Sequence, residues 1–270
     1  MPHLTLADGF RLYYEVHRPT AASAGDPVLL AHGAGGNAGS WWQQAPEFAQ
    51  RRIVITFDHR AFGRSPDIEG GPGRTAFTAD AIALLDHLNV ERVHVVGHSM
   101  GERTAIGLLR RAPERLASIV CSGTNAGCVD ERLHTRRAEL REAGVFDGSL
   151  RSRALAAGFA EREPALAARY EQVRAINPPR PADFLAMRPG AGPLGSTAPR
   201  LRESGLPLLW LVGEHDRVAP PQLMRISHEL TPGSRYCEVA GAGHSAYFER
   251  ADAWNAAVLE FIADIEVAPR

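Results

Sequence analysis

Three residue types, in one order along the chain, define the chemistry this sequence can do. Ser99 lies in Gly97-His98-Ser99-Met100-Gly101, a G-x-S-x-G; Asp216 follows the apolar run LLWLVGEH, and His244 follows YCEVAGAG. A serine hydroxyl is a weak nucleophile until a base takes its proton. Imidazole does that near neutral pH, and a carboxylate behind it fixes the tautomer and stabilises the imidazolium. Glycines flanking Ser99 suit a sharp strand-to-helix turn with no room for neighbouring Cβ atoms. The same stretch admits a second parse, because Ser99 and Glu102 form S-x-x-E, the pattern of a helix capping box. With Asp216 and His244 at later strand ends, the expectation is a Ser99 hydroxyl that faces a pocket and leaves the helix uncapped. Glu102 then either occupies the first helical turn as a carboxylate suited to the positive end of the dipole, or faces the pocket, where its charge would oppose an oxyanion and favour the imidazolium.

Acyl transfer at Ser99 also needs donors for an oxyanion. One is the backbone N–H of Met100, at a helix N-terminus just after the serine. The second is expected from HGAGGN, directly after an early strand, and is placed on Ala34. Trp41, Tyr247 and Phe248 flank these segments and are the candidate substrate contacts. GAGGNA at 33–38, with Asp58 ending the next strand, imitates a dinucleotide fingerprint; that parse leaves the serine, acid and histidine as coincidence. Asp130 is the other acid weighed for the triad, but it lies well past its strand end. His32, His59 and His98 show no metal-ligand spacing and are expected to make local hydrogen bonds. Neither metal nor organic cofactor is implied.

The elements that must position these groups are legible in the pattern. HLTLADGFRLYYEVH alternates apolar and polar residues about Asp8-Gly9, which predicts an antiparallel hairpin. PVLLAHG, RIVITFDH, VHVVGHS, LASIVCSG, LPLLWLVGEHD and YCEVAGAGH read as strands buried on both faces of a parallel sheet. Between them lie helical stretches, among them TADAIALLDHLN, whose Ile82, Leu84, Leu85 and Leu88 suit one buried face. This alternation predicts an α/β fold, a doubly wound and mostly parallel sheet with its site beyond the carboxyl ends of the strands. Residues 124–202 break the pattern. DERLHTRRAELREAG, SLRSRALAAGFAERE and ALAARYEQVRAIN read as helices, followed by a segment rich in Pro and Gly. The expected organisation is a core of 1–123 and 203–270 with 124–202 as an inserted helical cap.

Composition narrows the function classes. The 270 residues are 44% apolar, enough for a substantial core. A formal net charge of −1 makes no electrostatic case for nucleic acid or an anionic membrane surface, so the expected partner is a small molecule. The chain has no lysine, which excludes Schiff-base and P-loop chemistry. Three cysteines form no C-x-x-C pair. With no basic-then-apolar opening and no apolar run of spanning length, a cytoplasmic protein is expected. The pattern is silent on oligomeric state.

HGAGG, FDHRAFGRS, GHSMG, GEHDRV and GAGHSAYFE, in this order, resemble the α/β-hydrolase fold family and its serine esterase and lactonase group. The resemblance implies Ser99 as nucleophile, Asp216 as acid, His244 as base, and Met100 and Ala34 as oxyanion donors. It implies hydrolysis of a carboxylic ester or lactone of a small, largely apolar substrate through an acyl-enzyme. Relatives that hydrolyse carbon–carbon bonds of diketones tend to show Asn before the serine and Trp after the histidine, where this chain has His98 and Ser245. Other members act as slow-turnover small-molecule receptors or signalling proteins. The family usually has Gly where this chain has Ala61, and a small residue where it has Glu102.

Overall fold

A computed structural model describes residues 2–20, 25–180, 184 and 195–267. Its strands are β1 (His3–Thr5), β2 (Arg11–His17), β3 (Val28–Ala31), β4 (Val54–Phe57), β5 (Val93–His98), β6 (Leu116–Ser122), β7 (Leu208–Gly213) and β8 (Arg235–Val239). Helices α1 (Gln44–Phe48), α2 (Phe77–His87), α3 (Glu102–Arg111), α4 (Glu131–Glu142) and α5 (Phe159–Arg162) come first. They are followed by α6 (Pro164–Ala175), α7 (Ala198–Glu203), α8 (Pro221–Glu229), α9 (Ala246–Glu249) and α10 (Ala251–Val267). Every apolar run marked as a strand in the sequence contains one.

The chain divides into two compact units, Met1–Ala117 with Tyr170–Leu194, and Ser118–Arg169 with Gly195–Arg270. The stretch 124–202 therefore contributes to both. In the first unit β1 and β2 form the expected hairpin, with Gly9 at φ +84° and the Asp8 carboxylate accepting the Phe10 N–H. β2 runs antiparallel to β4, whereas β4, β3 and β5 are parallel. β3, β4 and β5 are buried along their whole length, which is why they carry almost no polar alternation. α2 packs on α3 and buries Phe77, Ala81, Leu84 and Leu85, with Ile82 and Leu88 only half-buried. Its buried Asp80 takes a two-pronged pair from Arg60 at 2.9 and 2.7 Å; Arg60 also reaches Asp8 at 2.7 Å and stacks on Phe10.

In the second unit β6, β7 and β8 are parallel, and α8 packs on β7 and β8. Two buried tryptophans are satisfied, Trp210 donating to Thr231 and Trp254 to Ser122. One expected helix is absent. Residues 149–158 are turns, and only Phe159–Arg162 of that segment is helical. Gly158 sits at φ +72°, and long-range partners claim the backbone. The Ala154 carbonyl accepts the Ser245 N–H, and the Ala156 N–H goes to the Glu249 carboxylate.

Ala61 occupies φ +67°. An L-residue there is disfavoured by about 1–2 kcal/mol, while glycine loses about 0.5–1 kcal/mol of chain entropy. Ala61→Gly is therefore expected to raise unfolding stability by about 0.5–1 kcal/mol, read as a higher denaturant midpoint with an unchanged slope.

Candidate active site

Ser99 breaks the pattern of β5. It is half-buried between buried His98 and Met100, and its backbone is held at φ +50°. A non-glycine residue in this region is uncommon and marks a turn imposed by its surroundings. Those surroundings are close-packed backbone. A Cβ on Gly97 would meet Glu102 Cα at 2.9 Å, and one on Gly101 would overlap the Ala31 carbonyl at the end of β3. Ser99–Gly101 is a single tight turn leading into α3, and neither it nor α3 has a side-chain cap. The capping-box parse is thereby excluded at Ser99. Burial pushes the Glu102 carboxyl up to about 7, with Arg103 and Arg110 pulling the other way.

The loop after β3 is tied down one carbonyl at a time. His32 Nδ1 lies 2.8 Å from Gly33 O, and its Nε2 lies 3.0 Å from the His59 N–H. An N–H can only donate, so Nε2 accepts and Nδ1 carries the proton. Burial holds His32 down at about 4, so the ring is neutral at physiological pH. Asn177 Nδ2 donates to Gly35 O at 3.0 Å, and its Oδ1 accepts the Gly63 N–H at 2.8 Å. Asn37 Nδ2 donates to Val173 O at 2.7 Å. Among the described residues the Ala34 N–H has no acceptor, and the Met100 N–H belongs to the unsatisfied first amides of a helical segment. Ala34 and Met100 share one apolar cluster with Phe62, Phe77 and Phe184.

Two other parses of this region fall away. Asp58 accepts the Ala38 N–H at 2.5 Å and the Arg64 N–H at 2.6 Å, leaving it no ribose to hold. The ring of His59, expected to hydrogen-bond locally, instead stacks on Phe77 at 4.3 Å. Neither of its nitrogens has a partner among the described residues, and burial pushes its pKa well below the ordinary value.

The second unit supplies an acid–histidine pair. His244 Nδ1 lies 2.8 Å from Asp216 Oδ2, with both residues buried. The other carboxylate oxygen accepts the N–H groups of Val218 and Ala219 at 2.7 and 2.9 Å. A carboxylate so held presents one oxygen to the imidazole and fixes Nδ1 as the protonated nitrogen. Backbone contact brings the two loops together, since a Cβ on Gly213 would overlap the Gly243 carbonyl. Asp130 is spent as the cap of α4, accepting the Arg132 N–H at 2.9 Å.

The sequence pattern of the family described as alpha/beta hydrolase fold matches residues 26–251, most of the chain. The chain belongs to this family. A Mycobacterium tuberculosis protein named as the non-heme bromoperoxidase BpoC is 31% identical over 254 residues, 90% of this chain and 95% of its own. An Azorhizobium caulinodans protein named as the carbamate hydrolase RutD is 30% identical, covering 94% of this chain and 96% of its own. The solved structure of Est816, described as an N-acyl homoserine lactone degrading enzyme, superposes with a TM-score of 0.72 at 26% identity. It covers 96% of this chain and 100% of its own.

In this family member the aromatic candidates are alike in burial. Trp41, Tyr247 and Phe248 are all buried, and Tyr247 packs edge-on against Phe248 and Trp254. Phe184, which the sequence pattern did not single out, is the aromatic packed against the Ala34 and Met100 cluster. A surface groove of about 670 Å³ lies at the opposite, amino-terminal ends of β7 and β8, lined by Leu208, Arg235 and Phe261, and holds none of the site residues. Among the described residues no group of three His, Cys, Asp or Glu side chains could hold a metal ion, and no helix is long and apolar enough to cross a membrane.

Glu249 also escaped the sequence reading. Its carboxylate accepts the N–H groups of Gly243 at 3.0 Å and Ala156 at 2.8 Å, clamping the residue before His244 to a segment far away in sequence. Burial pushes its pKa up to about 7 against the pull of those two donors. Since the folded state binds a proton here that the unfolded chain releases near 4.5, this group's contribution to stability is complete below pH 4.5. It is lost as pH rises through about 7. Glu249→Gln is expected to lower stability by about 1–2 kcal/mol at pH 5 by breaking one N–H bond. It should also flatten the fall in stability between pH 5 and 8, measured by urea titration at each pH.

Proposed function

We propose that this protein is a serine hydrolase that cleaves a carboxylic ester or lactone of a small molecule through an acyl-enzyme. His244 takes the Ser99 proton as Oγ attacks the carbonyl carbon. The N–H groups of Met100 and Ala34 hold the oxyanion. The tetrahedral intermediate collapses as His244 returns the proton to the leaving alkoxide. Water then attacks the acyl-enzyme with His244 again as base, freeing the acid and restoring Ser99. Asp216 orients His244 and stabilises its imidazolium, leaving Nε2 as the nitrogen that carries the proton.

The observation that carries this reading is the Ser99 turn. A half-buried serine held at φ +50° at the mouth of α3, with no capping role, has its conformation set by something other than helix stability. The buried Asp216–His244 pair supports it from the other unit, and the Est816 structure and the carbamate hydrolase name fit acyl-transfer chemistry.

A fluorophosphonate probe is expected to label Ser99, located by peptide mass spectrometry. Turnover of a panel of p-nitrophenyl esters, lactones and carbamates should fall by about 10⁴-fold or more in Ser99→Ala and His244→Ala, and by about 10³–10⁴-fold in Asp216→Asn. Labelling at another residue, or turnover surviving in Ser99→Ala, rejects the assignment.

A further inference from the structure

Two arginines lie on the loop that carries Ala34. The Arg180 guanidinium stacks over Phe62 at 4.0 Å; its Nη1 donates to Ala61 O at 3.1 Å, and its Nη2 lies 3.5 Å from Ala34 O. Arg174 lies across Gly35 so closely that a Cβ there would overlap its Nη1. Among the described residues Arg180 has no acid partner, and Arg174 has one long ion pair. Arg180 has only carbonyl oxygens for acceptors among the described residues, the third being Pro178 O at 3.4 Å. Arg174 has Glu171 at 4.0 Å, through a carboxylate that is 44% exposed. Burial and the charge of Arg174 both push the Arg180 pKa down.

A half-buried guanidinium ordinarily meets a carboxylate, because neutral carbonyls satisfy its N–H groups without balancing its charge. Two such groups side by side repel each other. Their position matters. Phe62, under the Arg180 plane, belongs to the same apolar cluster as Ala34 and Met100. An anion paired with Arg180 would thus sit beside Ala34, the residue of a proposed oxyanion donor, and near an apolar wall that includes Phe184.

We propose that the substrate carries a carboxylate, held by Arg180 with Arg174 at the edge of the loop Gly33–Asn37, in addition to the ester or lactone cleaved at Ser99. The inference rests on the hydrolytic reading above and revises the expected substrate from largely apolar to apolar with one anionic end. Planar guanidinium matches planar carboxylate through paired N–H···O bonds, which a lysine would not offer.

Two matched pairs of esters test it. The half-ester 4-nitrophenyl hydrogen glutarate is compared with its neutral methyl ester, placing the charge on the acyl side. 4-Acetoxybenzoate is compared with its methyl ester, placing the charge on the leaving side. In at least one pair kcat/KM is expected to favour the anion by tenfold or more, chiefly through KM. Arg180→Gln should bring that ratio to within threefold of unity, with Arg180→Lys between and Arg174→Gln causing a smaller loss. No preference in either pair, or one that Arg180→Gln leaves intact, overturns the proposal. Calorimetry of glutarate with the Ser99→Ala protein reads the anion site without turnover, with heat expected for Ser99→Ala and lost in the double variant with Arg180→Gln. If no ester is cleaved in a Ser99-dependent way, the hydrolytic reading falls, and the glutarate heat still decides the carboxylate site by itself.

Discussion

The backbone contact between Gly101 and the Ala31 carbonyl is the constraint on which the first unit turns. It brings the mouth of α3 directly against the end of β3, leaving no volume for a side chain at position 101. β5 must therefore reverse into the helix within three residues, and Ser99 takes the left-handed conformation that makes this possible. The loop after β3 begins at this contact, and its Ala34 packs against the cluster of Phe62, Phe77 and Met100. The Ser99 turn and the end of β3 are thus placed by one steric condition.

Polar groups refine what that contact begins. His32 is kept neutral by burial, donates through one nitrogen and accepts through the other, and so joins the loop after β3 to the end of β4. Asp58 does similar work by accepting two backbone N–H groups, filling the space that Gly63 leaves empty. Both of these buried polar side chains are satisfied locally, as most buried polar groups are, whereas the His59 ring beside them has no hydrogen-bond partner among the described residues. Among the described residues the Ala34 N–H stands out against this background, and so does Arg180, whose acceptors are all carbonyl oxygens.

The sequence was most legible where the cause was local. Strands buried on both faces announce themselves as unbroken apolar runs, and the Ser99 turn announces itself through glycines two residues to either side. Asp216 and His244 were legible because each directly follows such a run. The carbonyl partners of the loop were not. Asn177 reaches Gly35 across 142 residues and Arg180 reaches Ala34 across 146, from a Pro-rich stretch that reads as an irregular linker. Residues 149–158 misled for a related reason. Their composition favours a helix, but Ser245 and Glu249 take the backbone groups a helix would use. Glu102 is legible in part, since its place in the first turn followed from the motif while the burial that raises its pKa did not.

Glu249 links two places that no local pattern connects. One carboxylate anchors both the residue before His244 and a turn at Ala156, 93 residues from Glu249 along the chain. Substitutions in these two segments draw on the same anchor, so their energetic effects are not independent. A shift of the backbone at 154–156 is thereby passed to the residue before His244 through one side chain.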